Sequence, residues 1–104
     1  MAITYVVAEQ TAVNGTDVVV YTCPADTVAV ISAVVIGNTS TSDVSIDDIK
    51  INSVEYVTDK SIPAEGQILP EIEGQYLEAT QTVTITSTTS NINIRLSIKE
   101  RNVA

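Results

Sequence analysis

Valine, isoleucine and threonine supply 15, 13 and 14 of the 104 residues, so 42 positions branch at Cβ, against three leucines. Branching at Cβ restricts χ1 against a preceding helical turn and suits a pleated, half-buried surface. The chain is therefore directed to β-structure over most of its length. That length fits one domain, residues 1–104. Phenylalanine and tryptophan are absent, so the core is built of small branched pieces and is thin. Burial against a partner would help such a domain.

Period-two alternation marks the strands. Residues 3–8 and 17–23 are the first two candidates, and Asn14-Gly15 between them is a pair favoured in tight hairpin turns. Pro24 breaks the ladder before residues 27–38, the most apolar segment. Strict alternation there puts Val28, Val30, Ser32, Val34 and Ile36 on one face. Ala29, Ile31, Ala33, Val35 and Gly37 take the other. Both faces are apolar, which predicts a strand covered within a sheet or buried at a subunit contact.

Residues 44–47 and 49–57 read as two further strands, or as one long strand bulged at Asp47-Asp48, and 58–66 as a connection. Short strands at 67–69 and 75–79 lead into 80–86. The last strand has Ile92, Ile94, Leu96 and Ile98 on its buried face and Asn93, Arg95, Ser97, Lys99 and Arg101 on its polar face. About eight short strands separated by turn signals predict a single antiparallel β-sandwich, jelly-roll-like in its winding.

Charge and residue inventory exclude several functions. Thirteen acids against five bases give a net charge of −8, the wrong sign for holding nucleic acid by its phosphates. Histidine is absent, which removes histidine triads and imidazole metal sites. Cys23 is the single cysteine, so no internal disulfide forms, and no base stands ready to activate its thiol. The longest near-apolar stretch, 28–36, is far short of the ~20 residues of a membrane-spanning helix, and the N-terminus lacks a basic leader. These features predict a protein made soluble in a cytoplasm, with no cofactor, no membrane and no catalytic residues.

Three constellations remain. Asp43, Asp47 and Asp48 gather near one turn and could offer Ca²⁺ ligands, although a solvated acidic turn explains them better. Glu55, Glu65, Glu71, Glu73 and Glu78 could supply paired carboxylates, but no aromatic cleft accompanies them. Arg95, Lys99 and Arg101, three of the five cations, share the polar face of the final strand. Pairing with acids on a neighbouring strand is the simpler explanation of that stripe, and complementarity to an acidic partner surface the sharper one.

Two elements carry a family resemblance. The first is Tyr21-Thr22-Cys23-Pro24-Ala25, followed by the apolar strand that ends at Asn38. The second is Ile62-Pro63-Ala64-Glu65-Gly66, followed by Tyr76-Leu77-Glu78-Ala79. In this order they resemble elements of small β-sandwich virion proteins of tailed bacteriophages. Thr80 and Gln81 stand where those proteins often have Gly-Asp.

The resemblance implies a non-enzymatic structural protein of the virion, made in the host cytoplasm. A capsid decoration or cement protein is favoured, with a tail, neck or fibre component as the alternative. It implies as partners the major capsid protein or other virion proteins. The thin core, the doubly apolar strand and the gathered cations predict a homo-oligomer, with a trimer favoured because it fits a capsid's local threefold axis. Val28, Val30, Val35, Arg95, Lys99 and Arg101 are the expected interface residues. A carbohydrate-binding module is the reading from another class. It requires Tyr5, Tyr21, Tyr56 and Tyr76 to converge on one face, whereas packing roles are expected for Tyr21 and Tyr76.

Overall fold

The structure, a computed structural model, describes residues 3–89 and 91–103. None of these is helical. Nine strands form two antiparallel sheets packed together as a β-sandwich: β1 (Ile3–Gln10), β2 (Gly15–Thr22), β3 (Thr27–Asn38), β4 (Val44–Ile51), β5 (Val54–Ile62), β6 (Gln67–Ile68), β7 (Tyr76–Leu77), β8 (Thr82–Ser87) and β9 (Ile92–Asn102). Sheet I runs β1-β9-β3, with β6 and β7 sharing the far edge of β3, and sheet II runs β2-β8-β4-β5.

The pairing is that of one long hairpin rolled up. β4 pairs with β5, β3 with β6 and β7, β2 with β8, and β1 with β9. With β6 and β7 taken as halves of one interrupted strand, this is the eight-strand winding of a jelly roll. Inward side chains from both sheets make one core, dominated by fully buried isoleucines such as Ile31, Ile46, Ile85 and Ile94, with Leu77 and Leu96.

Four local expectations are corrected. Asn14-Gly15 does not turn a hairpin, because β1 and β2 lie in different sheets. The bend falls on Ala12, whose φ is 51°, and Val13 enters the core with its N–H bonded to the Ile92 carbonyl at 2.8 Å. The supposed strand 49–57 instead contains a hairpin: Asn52 and Ser53, at φ 51° and 65°, form the primed turn that joins β4 to β5. The presumed connection 58–66 is strand as far as Ile62.

The fourth correction concerns β3. Its register with β9 shifts between Ile31 and Ala33, so an extra residue at Ser32 reverses the phase of the strand. Ala29 and Ile31 point inward before the bulge, and Val34 and Ile36 after it. Val28, Val30 and Val35, which strict alternation divides between two faces, therefore share the outer one.

At the opposite corner the chain adopts a conformation unusual for its residue. Thr80 has a φ of 72°, comfortable for glycine and costly for a β-branched side chain. Its N–H bonds the Cys23 carbonyl at 2.9 Å, and the Gln81 side chain accepts the Glu78 N–H at 2.9 Å.

Candidate docking face

The outer face of sheet I is assembled row by row from the register. Ile3 lies beside Arg101, which lies beside Val28. The next row is Tyr5, Lys99, Val30 and Tyr76, across four strands. Val7, Ser97 and Ala33 follow, then Glu9, Arg95 and Val35. All six expected interface residues thus stand on one face. The three cations run down the middle on β9, flanked by apolar side chains of β1 and β3.

The flanks are open. Ile3, Tyr5, Val7 and Tyr76 are exposed, Tyr5 by 75%, and Val28, Val30 and Val35 are half-buried. Large apolar side chains scattered singly are ordinary, but a contiguous exposed set marks an interaction surface. An open groove of about 330 Å³ lies between β1 and β7, lined by Ile3, Val28, Val30, Tyr76, Lys99 and Arg101.

The cations on this face form no ion pair among the described residues. Among the described residues the one ion pair is Lys50–Asp17, at 2.9 Å on sheet II. Of the thirteen acids only Glu9 sits opposite a member of the stripe, Arg95, and no ion pair joins them. Lys99 and Arg101 have Tyr5 and Ile3 on one side, and Val30 and Val28 on the other. Cross-strand neutralisation therefore does not account for the stripe. The face offers positive charge, with extended reach from long side chains, on a protein whose net charge is −8.

Ile3, Tyr5, Val7 and Tyr76 are additions that sequence reasoning missed. β1 is apolar on both faces, like β3, so alternation could not choose which set faces out. Tyr76 contradicts the packing role expected of it. It sits on the two-residue β7 at the sheet margin, 63% exposed, while the neighbouring Leu77 takes the buried position.

The remaining candidates are placed elsewhere. Cys23 is buried, its thiol directed at the Thr27 carbonyl at 3.4 Å, and burial pushes its pKa up, away from a reactive thiolate. Tyr21 is buried beside it, and its hydroxyl donates to Glu100 Oε2 at 2.5 Å. Burial first, and that carboxylate second, raise the tyrosine pKa far above its ordinary value. Because β2 and β9 belong to different sheets, this hydrogen bond clamps the two layers together.

Among the described residues, no three His, Cys, Asp or Glu side chains come close enough to hold a metal ion. Asp43 Oδ1 instead accepts the Ala64 N–H at 3.0 Å, while Asp47 is exposed on β4. The four tyrosines do not converge: Tyr21 is buried, Tyr56 stands on β5 of sheet II, and only Tyr5 and Tyr76 share a face. Three strand spacings separate those two, about 14 Å.

Compared with known proteins, the chain matches no family model, no curated protein and no solved structure.

Proposed function

We propose that this chain is a non-enzymatic structural protein of a tailed-bacteriophage virion, a capsid decoration or cement protein that self-associates and lies with the outer face of sheet I against the particle. The observation that carries this reading is the stripe of Arg95, Lys99 and Arg101, without ion pairs among the described residues and bordered by open apolar side chains. A surface that sets unspent charge among open apolar side chains is built to be covered by a partner of opposite charge. The resemblance of the 21–25 and 62–66 corners to small virion proteins supplies the class of partner, the major capsid protein or a neighbouring virion protein. A jelly roll alone would not, because that fold also serves lectins and cupins.

A tail, neck or fibre position would use the same face and differ only in the surface met. The carbohydrate-binding reading loses its aromatic platform with Tyr21 buried and Tyr56 on the other sheet. Gold-labelled antibody to the purified protein, applied to particles banded from a lysate in which the gene is expressed, tests the proposal. Regular labelling of capsids is expected. Labelling confined to tails selects the alternative, and particles free of label and of the protein by mass spectrometry overturn the virion reading.

A further inference from the structure

Each sheet of an open sandwich ends in strands whose outward N–H and C=O groups lack partners, and natural proteins blunt such edges with bulges, charges, prolines or interruptions. Three of the four margins here are blunted in this way. The β2 edge has two register shifts and a left-handed residue, Asp17 at φ 49°. The β5 edge carries Glu55, Asp59 and Lys60, with Asp59 at φ 47°. The far margin of β3 is divided between two-residue strands, β6 and β7.

β1 is different. It pairs with β9 over eight consecutive residues, Ile3 to Gln10, with no register shift. It contains no glycine, proline, lysine or arginine, and its one charge, Glu9, lies near its end. About four N–H and four C=O groups alternate along its free side. Among the described residues no further backbone hydrogen bond reaches it. Its inward Val6 and Ala8 pack on the core yet are only half-buried, because nothing lies beyond them.

We infer that β1 is a self-pairing edge: two copies of this chain join antiparallel through β1, about a twofold axis at Val6, into one continuous sheet β3-β9-β1-β1-β9-β3. The sequence of β1 chooses a second copy as occupant because the strand is complementary to itself. With Val6 opposite Val6 of the second copy, Thr4 meets Ala8 on the inner face, while Tyr5 meets Val7 and Ile3 meets Glu9 on the outer one. Aromatic against β-branched is a favourable cross-strand pair, and no like charges stand opposite. Moving the axis to Val7 would replace both Tyr5–Val7 pairs with Tyr5 against Glu9.

The two cationic stripes of the pair lie three strand spacings apart, about 14 Å, beyond the ~8 Å screening length at physiological salt. Between them the exposed Ile3, Tyr5 and Val7 of both copies merge into one apolar strip. The contact is twofold, whereas the sequence alone favours a trimer. A ring of three needs two different edges that fit each other, and every other edge is blunted by bulges, charges or interruption. The inference stands on the edge itself and does not depend on the virion reading.

Two measurements on the full chain test it. Sedimentation velocity over a concentration series should show a reversible dimer. The double variant Y5E/V7E should weaken that dimer by about tenfold or more, since each introduced carboxylate meets one from the other copy. Both positions are exposed, and a circular dichroism spectrum like that of the unmodified chain shows that the fold persists. Variants that add one exposed or half-buried cysteine, with the native Cys23 left buried, then locate the axis. V6C should cross-link under mild oxidation, its Cα atoms falling within the ~4.4–6.8 Å that a disulfide spans. Y5C and V7C should not, because the same residue of the second copy lies about 8 Å away. Monomer at every concentration overturns the inference. So does a dimer that is indifferent to Y5E/V7E, or one that cross-links at positions 5 and 7 but not at 6.

Discussion

The outer faces of the two sheets solve the same problem differently. On sheet II, Asp17, Thr86 and Lys50 form a closed group. Lys50 pairs with Asp17 at 2.9 Å, and the Thr86 hydroxyl accepts the Asp17 N–H at 2.9 Å. Outward Thr84 and Thr86 are themselves nearly covered by their neighbours. The rest of sheet II is less complete: among the described residues Lys60 has no ion pair, Val19, Val54 and Tyr56 are exposed, and one oxygen of Asp48 is buried without a hydrogen-bond partner. On the outer face of sheet I the charged groups are three cations and Glu9, with no ion pair among the described residues, and the cations stand in line among open apolar side chains. A group of polar side chains that satisfies itself needs only water. A face that leaves charge and apolar area open together is completed by something else, and this contrast, more than the fold, carries the functional argument.

The contrast presupposes that both faces are backed by one rigid core, and the largest expected effect breaks that backing. Leu96 lies directly behind the stripe, between Arg95 and Ser97, and is fully buried. Leu96→Ala should cost about 2–5 kcal/mol in chemical denaturation, whereas Val7→Ala on the open face should cost no more than about 0.5 kcal/mol. Similar losses at both positions would mean that the outer face is itself packed.

The clamp between the sheets comes next. Tyr21→Phe removes the donor to Glu100 and should cost about 1.5–3 kcal/mol. Its pH signature has a definite sign. The folded state holds the Tyr21 proton more tightly than the unfolded state, so stability is complete below pH 10.0, the ordinary tyrosine value, and declines as pH rises past it. Cys23, also raised by burial, adds a decline of the same sign starting from its ordinary 9.0. Melting temperatures followed from about pH 8 to 11 should fall more steeply for the unmodified chain than for Tyr21→Phe. Parallel curves would place the alkaline sensitivity elsewhere.

A smaller effect runs the other way. Thr80→Gly relieves a β-branched residue at φ 72° and should raise stability by about 1 kcal/mol in the same denaturation assay, the strain released exceeding the entropy that glycine adds to the unfolded chain. Smallest of all is Lys50→Ala in the self-satisfied group. Its ion pair is surface-exposed, so the variant should keep the melting temperature within experimental scatter and leave binding to the particle unchanged.

Much of this could be read from residue order, for identifiable reasons. The alternation from Ile92 to Ile98 is unambiguous because polar and apolar residues truly alternate there, and it alone places Arg95, Lys99 and Arg101 on one face. β1 and β3 were opaque for the opposite reason: with apolar residues on both faces, period two carries no information about which side is in. The bulge at Ser32 then reverses the phase of β3, and no local residue announces it. Asn14-Gly15 misled because turn chemistry is local, whereas the choice between a hairpin and a crossing to the other sheet is made by Val13 filling the end of the core. Asn52-Ser53 escaped notice since it lacks the glycine that usually marks a primed turn.

The central claim is that the outer face of sheet I, and not its charge alone, meets the particle. Co-sedimentation of purified protein with stripped particles, at about 0.02 M and 0.15 M salt, compares R95E/K99E with Lys60→Glu, which reverses a cation on sheet II. The account predicts that R95E/K99E loses at least about tenfold in affinity, most strongly at the lower salt, while Lys60→Glu, corrected for its smaller charge change, binds as the unmodified chain does. Equal losses per reversed charge from the two variants would show that only net charge matters, and would contradict the assignment of the docking face.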